Sequence, residues 1–169
     1  MIKYNIMKII ECLKSRRSIR SLEPGNVKRE VIEEIVDCGR FAPTANNVQP
    51  CDFVVITDRE KLAALSKIAI NGPFIKDASF CVIVIAKDVK YYLEDGCAAT
   101  ENILLAAHAN GLSSCWVAGD KKDYVPKVLD FIGAPSGYKL ISILPIGYSD
   151  CKSEVEKRSI KEVLHWEKF

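Results

Sequence analysis

The sequence predicts a single domain that combines helices with a β-sheet, and three observations support this. The chain has 169 residues, close to the usual size of one domain. Hydrophobic residues make up 49% of it and charged residues 27%, a balance typical of folded globular proteins. Segments with helical periodicity also alternate with short apolar runs bounded by turn residues, as expected for helices packed on a sheet.

The first third of the chain is predicted to be mainly helical. In residues 5–14, isoleucine and leucine recur at positions i, i+3, i+4 and i+7, the stripe of an amphipathic helix. A Pro-Gly-Asn segment at 24–26 interrupts this pattern. Residues 28–40 then form a second helix, with an apolar side and Gly39 as its stop signal. A loop bounded by two prolines follows at 42–50.

Strands and helices alternate through the middle of the chain. Residues 52–57 are predicted to form a buried strand, and Asp58 can cap the short helix that follows. Asn-Gly-Pro at 71–73 breaks that helix. Residues 80–86, FCVIVIA, are the clearest strand of the sequence.

The longest predicted helix covers residues 92–110 and is apolar around much of its circumference. We expect such a helix to be buried, either in the core or against a second subunit. Gly111 ends it, and a charged tail with a few apolar anchors occupies 151–169. The remaining elements are a strand, a helix and a strand, at 113–117, 124–132 and 139–146. Periodicity does not settle whether the sheet is parallel or mixed.

Charge and composition exclude several functional classes. The formal net charge of +2 provides no overall field that would attract nucleic acid or a membrane. No segment has the length and apolar composition of a membrane span, and the N-terminal segment lacks a cleavage pattern, so we expect a cytoplasmic protein. The seven cysteines include no C-x-x-C pair, and there are only two histidines. A disulfide framework or a metal site is therefore not expected, and buried or surface thiols are.

A cluster of basic residues stands out at positions 14–20, Lys-Ser-Arg-Arg-Ser-Ile-Arg. Guanidinium groups form bidentate hydrogen bonds to phosphate oxygens, so this cluster could surround one phosphate. The same residues could instead form a solvated face or a nucleic-acid patch. The patch is less favoured because no aromatic residue lies within the cluster.

The loop at 43–50 offers amide and hydroxyl groups between two prolines. These groups suit a flat ligand that forms hydrogen bonds, although a connection rich in turn-forming residues would look the same. The chain contains no G-x-G-x-x-G fingerprint, phosphate-binding P-loop or G-x-S-x-G elbow. Dinucleotide-binding Rossmann domains, P-loop enzymes and serine hydrolases are therefore not supported.

Taken together, the two segments resemble the nitroreductase family of FMN-dependent flavoproteins. The family's R-R-S-x-R motif is matched at 16–20, and its A-P-S-x-x-N-x-Q-P-W motif at 42–51, with Cys51 in place of tryptophan. Further similarity lies, in the family's order, at 76–79, 111–116, 144–148 and 157–158. The ordered set is far more specific than either motif alone.

The resemblance implies an α+β fold with a mixed β-sheet flanked by helices, in an intertwined homodimer with FMN at its interface. Residues 1–169 would form one FMN-binding domain, in which a segment from about 150 to 169 embraces the partner subunit. The phosphate and ribityl chain would be held by Arg16, Arg17, Ser18 and Arg20, with Lys157 and Arg158 closing the phosphate site. The flavin ring would be contacted by Pro43, Thr44, Ala45 and Asn47 of the partner subunit, and by Asn71, Ala118 and Gly119.

The implied activity is that of an FMN-dependent NAD(P)H oxidoreductase. Hydride transfer through flavin N5 would follow a ping-pong scheme, with a nitroaromatic, a quinone or a similar conjugated compound as the acceptor. The flavin supplies this chemistry, so no catalytic side chain and no metal is expected. Two alternatives remain open: a flavin- or phosphate-binding module without activity, and a redox sensor based on Cys51 and Cys151.

Overall fold

The fold is organised around an antiparallel sheet in the computed structural model, which describes residues 9–153 and 155–169. The strands are β1 (Cys51–Ile56), β2 (Phe80–Lys87), β3 (Ser113–Ser114), β4 (Val117–Ala118) and β5 (Tyr138–Gly147). The helices are α1 (Ile9–Ser15), α2 (Arg29–Arg40), α3 (Arg59–Ile68), α4 (Tyr92–Ala109), α5 (Val125–Phe131) and α6 (Ile160–Val163). Short 3-10 segments occur at Ala45–Asn47 and Pro73–Asp77. The predicted α+β class is confirmed.

The strand order is β1-β2-β5-β3, and β4 also pairs with β5. All of these ladders are antiparallel, and the only parallel pairing in the described part of the chain is an isolated bridge between Ser18 and Ser114. β2 is buried from Phe80 to Ala86, as its unbroken apolar sequence predicts.

The prediction of a buried strand at 52–57 was wrong in its burial. Among the described residues, β1 pairs only with β2 and lies at the edge of the sheet, where Ile56 is its only buried residue. Its apolar run is similar to that of a strand buried on both faces, but within the described residues β1 has a neighbouring strand on one side only, so its side chains are less completely covered. Edge position depends on strand order, which the local sequence does not encode.

The prediction of one strand at 113–117 was also wrong, because the structure divides it into β3 and β4. Both strands pair with β5, and the register places Pro145 opposite Cys115, between the two short ladders. The Cys115 N–H donates to the Pro145 carbonyl (3.3 Å), but proline has no N–H to donate in return. The ladder is therefore interrupted at this point.

Hydrophobic residues pack on both faces of the sheet, with α2 and α4 on one face and α3 and α5 on the other. α4 lies close to β5 because Gly96 has no side chain. A Cβ at Gly96 would lie 2.5 Å from Cγ1 of Ile141. One turn further on, the Thr100 and Ser142 hydroxyls form a buried hydrogen bond of 2.8 Å. These contacts fix the position of α4 on the sheet.

Two local signals are confirmed at the helix ends. The Asp58 carboxylate accepts a hydrogen bond from the Lys61 N–H (2.8 Å) and caps α3. Gly111 follows α4 with a φ of +75°, a conformation that glycine adopts without steric cost.

The apolar stripe predicted for the first helix does not enter the core. Residues 5–8 of that prediction lie outside the described residues, and in α1 only Cys12 is buried. Ile9 is 74% and Leu13 50% exposed. They line an apolar groove of about 450 Å³ between α1 and α4, which we call the α1–α4 groove; Phe41 and Leu105 also line it.

The tail from Val155 to Phe169 is exposed along its whole length. It contains α6, whose start is stabilised by a capping box between Ser159 and Glu162. Trp166 and Phe169, two of the predicted apolar anchors, are exposed and pack on no core formed by the described residues.

Candidate binding site

The basic cluster borders a cavity of about 270 Å³, which we call the anion cavity. α1 ends at Ser15, and Arg16 and Arg17 line the cavity directly after it. Ser114 of β3 contributes from the sheet, and Lys152 from the segment beyond β5. No acidic side chain is among the described residues that line it. The described lining of the cavity therefore carries net positive charge, although the chain as a whole is nearly neutral.

The guanidinium groups in this cavity have donors that the described part of the chain does not satisfy. The Nε atoms of Arg16 and Arg17 are buried and have no hydrogen-bond acceptor there. Arg16 Nε lies 3.3 Å from a carboxylate oxygen of Glu101, an ion pair without hydrogen-bond geometry. Arg17 donates through Nη1 to the carbonyls of Lys14 (2.7 Å) and Arg16 (2.9 Å). Because an unsatisfied buried donor is costly, the arrangement suits an anion that supplies acceptors.

The rest of the basic motif runs along β3. Ser18 bridges to Ser114, and the Ile19 N–H donates to the Ser114 carbonyl (2.9 Å). Arg20 lies near Cys115: burial raises the pKa of this thiol, and the Arg20 guanidinium opposes the rise. The motif therefore leads from the anion cavity toward β4.

Ala118 and Gly119 lie at the end of β4 and differ in their hydrogen bonds. The Gly119 N–H donates to the Ile141 carbonyl (3.2 Å). Since hydrogen-bonding direction alternates along an antiparallel strand, the Ala118 N–H points away from β5. The Ala118 carbonyl accepts a hydrogen bond from the Tyr124 hydroxyl. Asn71 is exposed in a turn that lies next to β4. The proximity is shown by the neighbouring Gly72, because a Cβ added there would lie 3.0 Å from Cγ2 of Val117.

We expect Gly119→Ala to destabilise the fold by about 1–3 kcal/mol, the usual cost of overpacking. A Cβ at this position would lie 2.6 Å from the Ile141 carbonyl oxygen, and backbone cannot give way as a flexible side chain can. Denaturant unfolding measures the effect. Ala118→Ser adds an atom at the exposed neighbouring position and is the control. Equal unfolding free energies for the two variants would contradict this packing argument.

The loop at 43–49 is held in a defined shape by local and tertiary hydrogen bonds. Thr44 Oγ1 accepts from the Gln49 N–H (3.1 Å), and Asn46, Asn47 and Gln49 have left-handed φ values of 52–54°. The Ala45 N–H donates to Asp95 Oδ1 (3.0 Å).

Asp95 links this loop to α4. It is only 5% exposed, and its second carboxylate oxygen, Oδ2, is buried without a hydrogen-bond partner in the described part of the chain. The contact with Ala45 places the loop beside the first turn of α4.

The structure brings together only part of the predicted site. Asp95, which holds the loop, and His108, which lines the anion cavity, both belong to α4. At ~1.5 Å per residue, the helix separates them by ~20 Å. Lys157 and Arg158 are exposed on the tail and do not line the cavity. Within one chain, residues 16–20 thus lie beside β3 and lead toward β4. The loop at 43–49 lies far along α4 from the anion cavity, and Lys157 and Arg158 do not line it.

Three residues of this region were missed by the sequence reasoning. Lys152 and His108 line the anion cavity, and Asp95 holds the loop. Asp95 is one of several acids of the predicted helix, with Glu94 beside it, so the sequence does not single it out. His108 and Lys152 carry no local signal either, because their role depends on long-range packing.

The cysteines do not form disulfides, and all seven are free. Burial and the Asp95 carboxylate raise the pKa of Cys51 to about 11, so this thiol stays protonated at neutral pH. That disfavours Cys51 as a redox centre. Cys151 is exposed at the rim of the anion cavity.

The described residues contain no cluster of three or more potential metal ligands. Their helices include none with the length and apolar composition that a bilayer crossing requires.

Comparison with known proteins agrees with these observations. The chain matches the family model described as the Nitroreductase family over residues 13–89 and 70–148. It is 36% identical to an Archaeoglobus fulgidus protein provisionally named NADH dehydrogenase/NAD(P)H nitroreductase, covering 94% of this chain and 99% of that protein. It is 25% identical to the FMN reductase (NADPH) of Bacillus subtilis, over 94% of this chain and 72% of the relative. The solved structure of the FMN-dependent nitroreductase of Clostridium difficile R20291 superposes with a TM-score of 0.88 at 30% identity, covering 95% and 99% of the two chains.

Proposed function

The chain belongs to the nitroreductase family, and from this premise we propose that it is an FMN-dependent NAD(P)H oxidoreductase. Its acceptor would be a small conjugated compound such as a nitroaromatic or a quinone. Relatives named as FMN reductase and FMN-dependent nitroreductase support the cofactor and the reaction class.

The observation that carries this proposal is the pair of buried guanidinium Nε atoms of Arg16 and Arg17, at a cavity whose described lining residues include no acid. A phosphate monoester carries nearly two negative charges at neutral pH and offers three strong acceptor oxygens, which fits these donors. At about 270 Å³ the cavity is smaller than the ~300–1,000 Å³ of pockets that hold whole small ligands. It therefore fits the phosphate end of FMN and leaves the ring outside.

The remaining residues of the site would bind and orient the cofactor. Ser18 and Arg20 continue from the anion cavity toward β4, along the path that a ribityl chain would take. At its end the Ala118 N–H is available as a donor, and Gly119 keeps the backbone close to the sheet. Asn71 adds an exposed amide beside them. When bound, FMN supplies the two-electron chemistry between NAD(P)H and the acceptor in a ping-pong cycle.

We further propose that the active unit is a homodimer in which each site is shared. The loop at 43–47 is rigid but lies roughly 20 Å along α4 from the anion cavity of its own chain. A second copy packed on the α1–α4 groove would cover Ile9 and Leu13 and would bring its loop to the site.

In this arrangement residues 1–169 form one domain, and the tail from about 150 embraces the partner through its exposed apolar side chains. Lys157 and Arg158 would then reach the phosphate from the tail.

We expect the purified protein to be yellow, and we expect NADH or NADPH to bleach its flavin absorbance under anaerobic conditions. An added nitroaromatic or quinone should restore the colour. A flavin that binds but is not reduced would indicate a binding module without activity. A colourless protein that FMN cannot reconstitute would refute the proposal. Full activity in the double variant Cys51→Ser/Cys151→Ser would exclude the redox sensor based on these two cysteines.

A further inference from the structure

His108 lies near the C-terminal end of α4 and lines the anion cavity together with Arg16 and Arg17. Its Nε2 atom is 2.8 Å from the hydroxyl oxygen of Ser15. The Ser15 hydroxyl also donates to the Glu11 carbonyl (2.7 Å). The contact with Ser15 holds the imidazole ring in a defined orientation beside the cavity, where the ring can gain or lose a proton.

The surroundings of His108 favour its neutral form. Burial lowers its pKa, and the positive charges of Arg16 and Arg17 lower it further. In the described part of the chain, the charged and titratable groups around it are Arg16 and Arg17 beyond α1, Cys151 and Lys152 beyond β5, and Glu101 on α4, which pairs with Arg16. Cations thus outnumber the single carboxylate in this set.

An anion in the cavity reverses this electrostatic situation. A dianion beside the two guanidinium groups would cancel the charges that oppose protonation and would add an attractive charge near the imidazole. The protonated ring would in turn favour the anion. We propose that His108 is a phosphate-binding residue of this site, and that anion binding is coupled to uptake of a proton by its imidazole ring. The inference rests on the proposed function only for the identity of the anion as the FMN phosphate.

The direction of the pH dependence follows from linkage. If binding raises the pKa of His108, affinity is greatest below the pKa of the free protein and falls as the pH rises through the pKa of the occupied form. Each unit of increase on binding corresponds to a tenfold difference in affinity between the two pH limits, and we expect roughly tenfold. The FMN phosphate itself titrates near pH 6, so sulfate, whose charge is constant over this range, is the cleaner probe.

The test is a histidine NMR titration of the full-length protein from pH 5 to 8.5, free, with saturating sulfate and with FMN. The chain has only two histidines, and the second, His165, lies on the exposed tail. We expect sulfate and FMN to raise the pKa of His108. Sulfate affinity, measured by calorimetry, should fall about tenfold between the low- and high-pH limits, and His108→Gln should abolish that dependence.

An unchanged His108 pKa in the sulfate- or FMN-bound protein would overturn the inference even if the flavin is bound and reduced. A rise with sulfate in a protein that cannot bind FMN would support the anion site while refuting the proposed function. The NMR measurement uses the unaltered chain, so it decides the question even if His108→Gln fails to fold.

Discussion

Arg16→Ala is expected to weaken FMN binding by roughly 10- to 150-fold. A hydrogen bond to a charged partner contributes about 1.5–3 kcal/mol, and Arg16 is one of two guanidinium groups with a buried donor at the anion cavity. The substitution leaves Glu101 without its ion pair, but that carboxylate is 44% exposed and stays hydrated. The dissociation constant can be measured by flavin fluorescence during reconstitution.

Arg29→Ala is the matched control for this prediction. Arg29 also forms an arginine–carboxylate pair, with Glu33 at 2.7 Å, but its side chain is 87% exposed on α2, away from the cavity. Its loss should leave FMN affinity unchanged. Equal affinities for Arg16→Ala and the unmodified protein would remove Arg16 from the site. Arg158→Ala in the same assay tests whether the tail reaches the phosphate.

Leu13→Glu is expected to convert the proposed homodimer into a monomer and to release its FMN. Leu13 is 50% exposed in the α1–α4 groove, so a glutamate costs the isolated chain little. In a symmetric interface the substitution occurs twice, and burying an unpaired carboxylate costs several kcal/mol each time. Sizing with light scattering gives the mass, and the ratio of flavin to protein absorbance gives the occupancy.

Val55→Glu provides the comparison for a charge added elsewhere. Val55 is 37% exposed on β1 and lies outside the groove. This variant should remain dimeric and yellow. A Leu13→Glu monomer that keeps its full complement of FMN would show that one chain suffices for the site, and would contradict the shared arrangement.

Most elements of the fold could be predicted because their signals are local. The Asp58 cap, the Gly111 stop and the unbroken apolar run of β2 each act within a few residues of the backbone that they shape. Strand order is different. β1 has an apolar sequence yet lies at the edge, and Pro145, distant in the chain, divides the strand predicted at 113–117.

The candidate site shows the same division. The basic residues at 16–20 could be identified from sequence because they are adjacent, and the family resemblance gave them a target. Asp95 and His108 could not, because one acts through a loop fifty residues away and the other through a cavity built from three segments. The exposure of the α1 stripe was not predictable either, since a helical period shows that a face is apolar but not what covers it.

The sequence alone therefore determined the helices, the central strand, the basic cluster and the family resemblance. These depend on periodicity, on capping and on residues adjacent in the chain. Only the tertiary structure decided that Arg16, Arg17, His108 and Lys152 share one cavity, with no acid among its described lining residues, and that the loop at 43–49 lies far from it. The reason is physical: a cavity's charge is set by side chains that packing brings together from distant positions, and no local pattern records which ones will meet.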